Sequence, residues 1–296
     1  MFAFFAPGCR KNIMKNLHLN KLLTQINEVP TLPTSVLRVL QMTEDPFCSS
    51  SDLAKVIQAD PAMASKVLKL SNSSYYGFRQ KISHIPQAVT LLGFATLKNT
   101  LLTASVFDMF GTSATGFDLP ALWQHSITAA TASKLVAKRV RYPHAEQAFT
   151  AALLHDMGKI IMARYIPQGM AEIVQLVNNE GMTMYEAEKK VIGLAHPALG
   201  AWVLARWGIP AVVVEAIEHH HVLKPDLPSY DLASIVSLSN YLAHFVNIGC
   251  GGDMLPREAD PVVLEHFRLL EPAIVDMQEV LAFKRIEIES YAATVA

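Results

Sequence analysis

From Leu32 onward, apolar residues recur at three- and four-residue spacing, and nowhere does the chain alternate like a half-buried strand. That pattern limits the fold to packed helices. Leu32, Val36, Val39, Leu40 and Met42 form the first stripe, with Thr34 as its expected N-cap. Asp45-Pro46 interrupts it, because proline disfavours helical backbone in the residue before it. Ser51 and Asp52 are placed to cap a second helix carrying Leu53, Val56 and Ile57. Asp60-Pro61 opens a third, through Met63, Val67, Leu68 and Leu70, where proline's missing N–H costs nothing. Residues 72–77 read as a turn. Ile85-Pro86 starts a run to Gly93, and Leu97, Leu101, Leu102 and Val106 continue it.

Residues 111–120, rich in Gly, Ser and Thr, mark a boundary. Helical patterns follow over 122–140, 146–165, 171–179, 184–192, 196–207, 210–220 and 232–246, then around 264–270 and 274–283. The sequence predicts an all-α fold, a multi-helix bundle of two packed subdomains. Its parts are an extension over 1–28, a helical lobe over 29–112, a second lobe over 113–248, and a helical extension over 249–296.

Composition narrows the function classes. Of 296 residues, 51% are apolar and 17% charged, and the net charge is −1. That excludes a disordered chain. It also excludes binding of nucleic acid by bulk positive charge. Cys9, Cys48 and Cys250 are too scattered for a disulfide framework or a metal knuckle, which suits a reducing compartment. The apolar start, residues 1–6, is short and precedes its basic residues, the reverse of a secretory signal. The longest uncharged stretch, 232–252, carries a polar residue every few positions, so no bilayer span is expected. A cytoplasmic location is the expectation.

Nine of the 11 histidines fall after Gly116. The sharpest local signal is the run Leu153 to Lys159, with His155-Asp156 at its centre. An imidazole beside a carboxylate offers one divalent cation a nitrogen and an oxygen. Lys159, one turn on, is placed to face an anionic group such as a phosphate. Alone, His-Asp is a short and common match. Other helical segments add His125, His196, the run His219-His220-His221, and Asn240. A bundle core can gather such ligands from facing helices.

The order His, His-Asp, His, His-His resembles the HD superfamily of metal-dependent phosphohydrolases. The amino-terminal half resembles something narrower, the HDOD domain of bacterial signalling proteins. The matching residues there are Leu32-Pro33, Asp60-Pro61, Asn72-Ser73 with Tyr76-Gly77, Ile82 with Ile85, Ala88-Val89 and Leu92-Gly93. In the second half they are 153–159, Ala187-Glu188, Gly193 with His196 and Gly200, Trp207 with Pro210, and Ala216-Ile217. The resemblance spans roughly 29–246.

It implies an HD-like second lobe and a regulatory role in bacteria, in a family to which no general catalytic activity is attached. Its metal set would be His125, His155, Asp156, His196, His220, His221 and Asn240, holding iron, manganese or zinc. Asn240 stands where the HD pattern ends in an aspartate, and a neutral amide is a weaker ligand. The frame set by Ala216-Ile217 favours His220 and His221 over His219 as the matching pair. Gly77 would end a helix.

Two functions follow. The chain is a non-catalytic signalling or scaffolding module that meets a signalling protein. Alternatively, it is a metal-dependent phosphohydrolase of a nucleotide or cyclic dinucleotide, with Lys159 against the phosphate. A blander reading makes the histidines structural, those at 219–221 complementing a helix dipole.

Overall fold

A computed structural model describes residues 21–22, 24–25, 28–110, 117–254 and 258–295. Most of the expected extension, including residues 1–20 with Cys9, and residues 111–116 of the expected boundary lie outside the described residues. Among those described there is no strand.

The first lobe holds α1 (Thr34–Glu44), α2 (Ser50–Gln58), α3 (Pro61–Ser71) and α4 (Ile85–Phe110). Val39, Leu53, Ile57, Met63, Val67, Val89 and Leu97 fill its core, each large apolar side chain stabilising by about 1.5–3 kcal/mol on burial. The caps differ from the expected ones. Pro33, with extended backbone, takes the N-cap position of α1, and Thr34 is already helical. Ser49 caps α2, accepting from Asp52 N, because the helix begins two residues earlier than the apolar stripe implied. Asp60 caps α3, accepting from Met63 N, and Pro61 sits in the first turn as expected. That helix stops at Ser71, so Gly77 does not end it. Gly77, at φ 64°, instead closes the turn that follows. Asn72 pins the turn, donating to the carbonyls of Leu68 and Ile82 and accepting from Ile82 N, each at 2.8 Å.

Gly93 breaks the helical path of α4 at φ 75°. Beyond it α4 leaves the first core, through Leu97 and Leu101, and enters the second with Leu102, Ala104 and Val106. By length and composition alone α4 could cross a membrane, yet these side chains are buried inside the protein.

The second lobe winds around α5 (Leu119–Val140), which packs on α6 (Ala145–Leu154) and α12 (Tyr230–Val246). Alanine, serine and threonine at 126 and 128–133 keep α5 slim and let its neighbours approach. Between α6 and α12 come α7 (Met157–Tyr165), α8 (Pro167–Glu180), α9 (Met184–Val191), α10 (His196–Arg206) and α11 (Ala211–His219). Then follow α13 (Pro261–His266), α14 (Glu271–Phe283) and α15 (Arg285–Val295). Ile274, Met277 and Leu281 of α14 and Ile288 of α15 belong to this second core.

Tyr291 of α15 reaches back to the first lobe. Its ring lies 4.7 Å from that of Tyr75 and 5.8 Å from that of Tyr76. Tyr75 Oη meets Thr131 of α5 at 3.0 Å, and Tyr76 Oη meets Thr100 of α4 at 2.8 Å. The 72–77 turn is thus clasped against the second lobe.

One difference bears on the site. The sequence predicts a single helix over 146–165, but the chain breaks at His155-Asp156 into α6 and α7. Asp156 leaves the helical region at φ −96°, ψ 10°. In a continuous helix its carboxylate would point about 100° away from the His155 ring. The break turns it back among the imidazoles.

Candidate metal centre

Five stretches of backbone converge here: α5 with His125, the α6–α7 break with His155 and Asp156, the start of α10 with His196, the end of α11 with His220 and His221, and α12 with Asn240. Close packing of α7 on α10 sets part of the geometry. A Cβ on Gly158 would lie 2.1 Å from the His196 carbonyl oxygen, and one on Gly200 only 3.1 Å from Gly158 N. Glycine at both positions lets His196 come level with Asp156.

The Asp156 carboxylate is the hub. Its Oδ2 lies 2.9 Å from Lys159 Nζ, 3.4 Å from His155 Nε2 and 3.7 Å from His125 Nε2. Its Oδ1 lies 3.2 Å from His196 Nε2, in poor alignment for a hydrogen bond. Two three-residue groups therefore adjoin: His125, His155 and Asp156, and His196, His220 and His221. In each, ligand atoms lie within 4.8 Å of one another. His219 belongs to neither. His221 is exposed, and the rest of the set is buried.

Hydrogen bonds fix the imidazoles. His155 Nδ1 meets Ala152 O, and His220 Nδ1 meets Ile217 O, both at 2.7 Å. His196 Nδ1 meets Glu188 Oε2 at 2.7 Å, and that oxygen also accepts from His196 N. Each Nδ1 must carry the proton it donates, which leaves the Nε2 lone pair pointing inward. All three Nε2 atoms are buried without a hydrogen-bond partner, as is Asp156 Oδ1. Unpaired buried polar atoms are costly, and here four point into one space. That arrangement fits a divalent cation bound by nitrogen and oxygen, with Glu188 orienting His196 from behind.

The electrostatics of His155 and His220 agree with that geometry, while those of His196 run the other way. Burial, reinforced by neighbouring imidazoles, pushes His125 and His220 well below the ordinary histidine range; burial lowers His155 as well. Burial opposes charge on His196 too, but Glu188 and Asp156 together outweigh it and raise that group. Burial likewise opposes ionisation of Asp156, and His155 and Lys159 overcome it, holding the carboxyl well below its usual range. Burial opposes charge on Lys159 as well, but the carboxylates of Asp156, Asp253 and Glu188 together outweigh it and raise that group.

Two expected residues take other partners. Lys159 is fully buried and donates to Asp156 and, at 2.7 Å, to Gly251 O. Its ammonium faces the hub and the backbone, not an open phosphate space. Asn240 Oδ1 lies 2.9 Å from His125 Nε2, so the amide engages that histidine directly.

Sequence reasoning passed over three contributors. Glu188 was seen only as part of a resemblance, though a carboxylate eight residues before His196 was the available signal. His244 follows Asn240 by four residues, hence on the same helix face, and its ring lies 4.4 Å from that of His125. The strap 247–253 gave no periodic signal. It crosses the site with Cys250 N bonded to Ala121 O at 2.9 Å. Gly249, at φ 76°, passes so close that a Cβ would lie 2.3 Å from His125 N.

Fold and site define the class: a two-lobed helical module with a histidine–aspartate cluster in its second lobe. The HDOD domain model matches residues 29–223, and the chain belongs to the HDOD family. Solved structures share the fold. An HDOD domain protein of unknown function from Geobacter sulfurreducens superposes with a TM-score of 0.76 at 23% identity, covering 94% of this chain and 98% of that one. A candidate signal transduction protein from Marinobacter aquaeolei VT8 gives 0.77 at 22% identity, over 90% and 60% of the two chains. A candidate phosphohydrolase from Shewanella amazonensis SB2B gives 0.74 at 23% identity, over 94% and 99%. An uncharacterized protein of Treponema pallidum (strain Nichols) is 24% identical over 251 residues. That stretch is 83% of this chain but 47% of the relative, so the chain spans about half the length of the curated relative it matches.

Proposed function

We propose that this chain is a regulatory module of bacterial signalling, working in the cytoplasm, whose second lobe holds a divalent cation without turning over a substrate. The observation that carries the cation is the set of orphaned atoms: Nε2 of His155, His196 and His220 around Oδ1 of Asp156. Iron, manganese and zinc all suit imidazole with carboxylate. When bound in an HD-type site, such a cation activates water and polarises a phosphoryl oxygen.

This chain's own residues weigh against turnover. Asn240 brings no charge to the set. Lys159, the nearby cation that could neutralise a phosphate, is buried and already holds Asp156 and Gly251. A signalling protein is the partner proposed, met through the outer surface of the lobes.

One observation favours the alternative, a metal-dependent phosphohydrolase of a nucleotide or cyclic dinucleotide. Two three-ligand groups flank one carboxylate, an arrangement suited to a pair of metals. Metal analysis of untagged protein, followed by a panel of mono-, di- and cyclic nucleotides, tests both. Stoichiometric metal lost on combining His155→Ala with Asp156→Ala, with no hydrolysis, is the expected result. Hydrolysis that tracks metal loading establishes the phosphohydrolase, and no metal in any preparation sinks the cation.

A further inference from the structure

At the His125 end of the centre Asn240 brings a neutral amide, and a further pair of residues stands beside it. His244 lies one turn beyond Asn240 on α12. Its Nε2 is buried and has no hydrogen-bond partner. Asp253, arriving on the strap, places Oδ2 3.9 Å from that nitrogen. Its other oxygen is occupied, accepting from Met184 N at 2.7 Å, which fixes the carboxylate. A separation of 3.9 Å is too long for a hydrogen bond. It does fit two ligands each about 2.0–2.2 Å from one cation. Gly251 leaves the space open, since a Cβ there would lie 3.1 Å from both His125 Nε2 and His244 Nε2.

We propose that His244 and Asp253, with His125, form a second divalent-cation locus that replaces the acidic ligand missing at Asn240. The inference rests on the cation reading above and names further ligands for it. Loading requires the Asn240 amide to release His125 Nε2, a rotation about one side-chain torsion. The ligand set is then two imidazoles and a carboxylate, suited to zinc, iron or manganese. Because Asp253 lies on the strap, cation binding also fastens the strap over the site.

Cobalt(II) titration of metal-free, untagged protein, followed by d–d absorbance and calorimetry, provides the test. Two equivalents are expected in the wild type. His244→Gln and Asp253→Asn should each weaken one equivalent by about ten-fold or more and spare the other. Both substitutions conserve bulk, and thermal melts of the metal-free variants check folding. Asn240→Asp added to His244→Gln should restore the lost equivalent. If His244→Gln and Asp253→Asn keep wild-type stoichiometry, affinity and spectrum while His220→Ala loses an equivalent, the second locus is wrong and the cation reading stands. No cobalt uptake by the wild type overturns both.

Discussion

Replacing Gly158 by alanine puts a single methyl group where the packing of α7 on α10 allows none. The added Cβ lies 2.1 Å from His196 O and 2.7 Å from both His196 C and Cα. All three are backbone atoms, so no rotamer change relieves the clash. Ordinary contact needs roughly 3.5 Å, and α10 must retreat by about 1 Å. Overpacking of this kind costs about 1–3 kcal/mol, and backbone against backbone belongs at the upper end. Exchanging glycine for alanine in a helix returns up to about 1 kcal/mol. The net expectation is a loss of about 2 kcal/mol, or roughly 3 °C in Tm for a chain of this size. The same shift carries His196 Nε2 away from Asp156, so cobalt affinity must fall as well. Gly181→Ala is the control. Gly181 has φ 64° and nothing within 4 Å of an added Cβ, so it should cost about 1 kcal/mol of backbone strain and leave cobalt binding unchanged. Urea melts and cobalt titrations of the three proteins measure both effects. Wild-type stability and affinity in Gly158→Ala would refute the claim that α7–α10 packing sets the site.

Other substitutions probe the remaining parts. Glu188→Gln keeps the shape but removes the charge behind His196, and metal affinity should drop about 10–100-fold; calorimetry showing an unchanged Kd would deny Glu188 that role. Lys159→Met leaves Asp156 buried without its cation, so the metal-free protein should lose about 3–5 kcal/mol, with cobalt restoring part of it; equal losses in the metal-free and loaded proteins would count against the hub. Tyr291→Ala should cost about 3–5 kcal/mol and speed amide exchange in the 72–77 turn, whereas unchanged exchange there would show that α15 does not clasp the lobes. The metal-free protein should weaken in acid. His125, His155 and His220 have lowered pKa values in the fold, so the unfolded chain binds more protons once pH falls below the ordinary histidine value of about 6.5. Their stability is present above that value and is lost below it. His196, raised by Glu188, acts in the opposite sense but is one group against three. Urea melts at pH 7.5 and 5.5 that show equal or greater stability in acid would contradict this.

The fold class was legible because it is written in local spacing. Val36 with Val39, or Val67 with Leu70, announces a helix face without reference to any distant residue. Most of the histidine set was legible too, since separate helical stretches each carried one. What stayed hidden depends on tertiary packing. The break at His155-Asp156 leaves no proline or glycine at the break itself and is visible only once the imidazoles surround the carboxylate. Thr34 and Ser51 looked like caps because they precede apolar stripes, yet Pro33 and Ser49 hold those positions. The roles of Lys159 and Gly251 arise from a contact across 92 positions of sequence, which no local pattern encodes.

That long contact also ties the candidate metal-ligand set to the strap after α12. A charged lysine held at 0% exposure is unfavourable unless its partners stay in place. Lys159 has two such partners, one in the α6–α7 break and one on the strap after α12. Removing either leaves a buried charge half satisfied, so the strap and the break are held to a single arrangement. A cation at Asp156 would draw on the same carboxylate that anchors Lys159 and so compete with the ammonium for it. Strap position and cation occupancy are therefore coupled through one side chain. A cation bound at the centre would thereby act on the strap over 247–253, which carries the exposed Cys250. A module that reports occupancy to a partner would require such coupling between a buried centre and an outer segment.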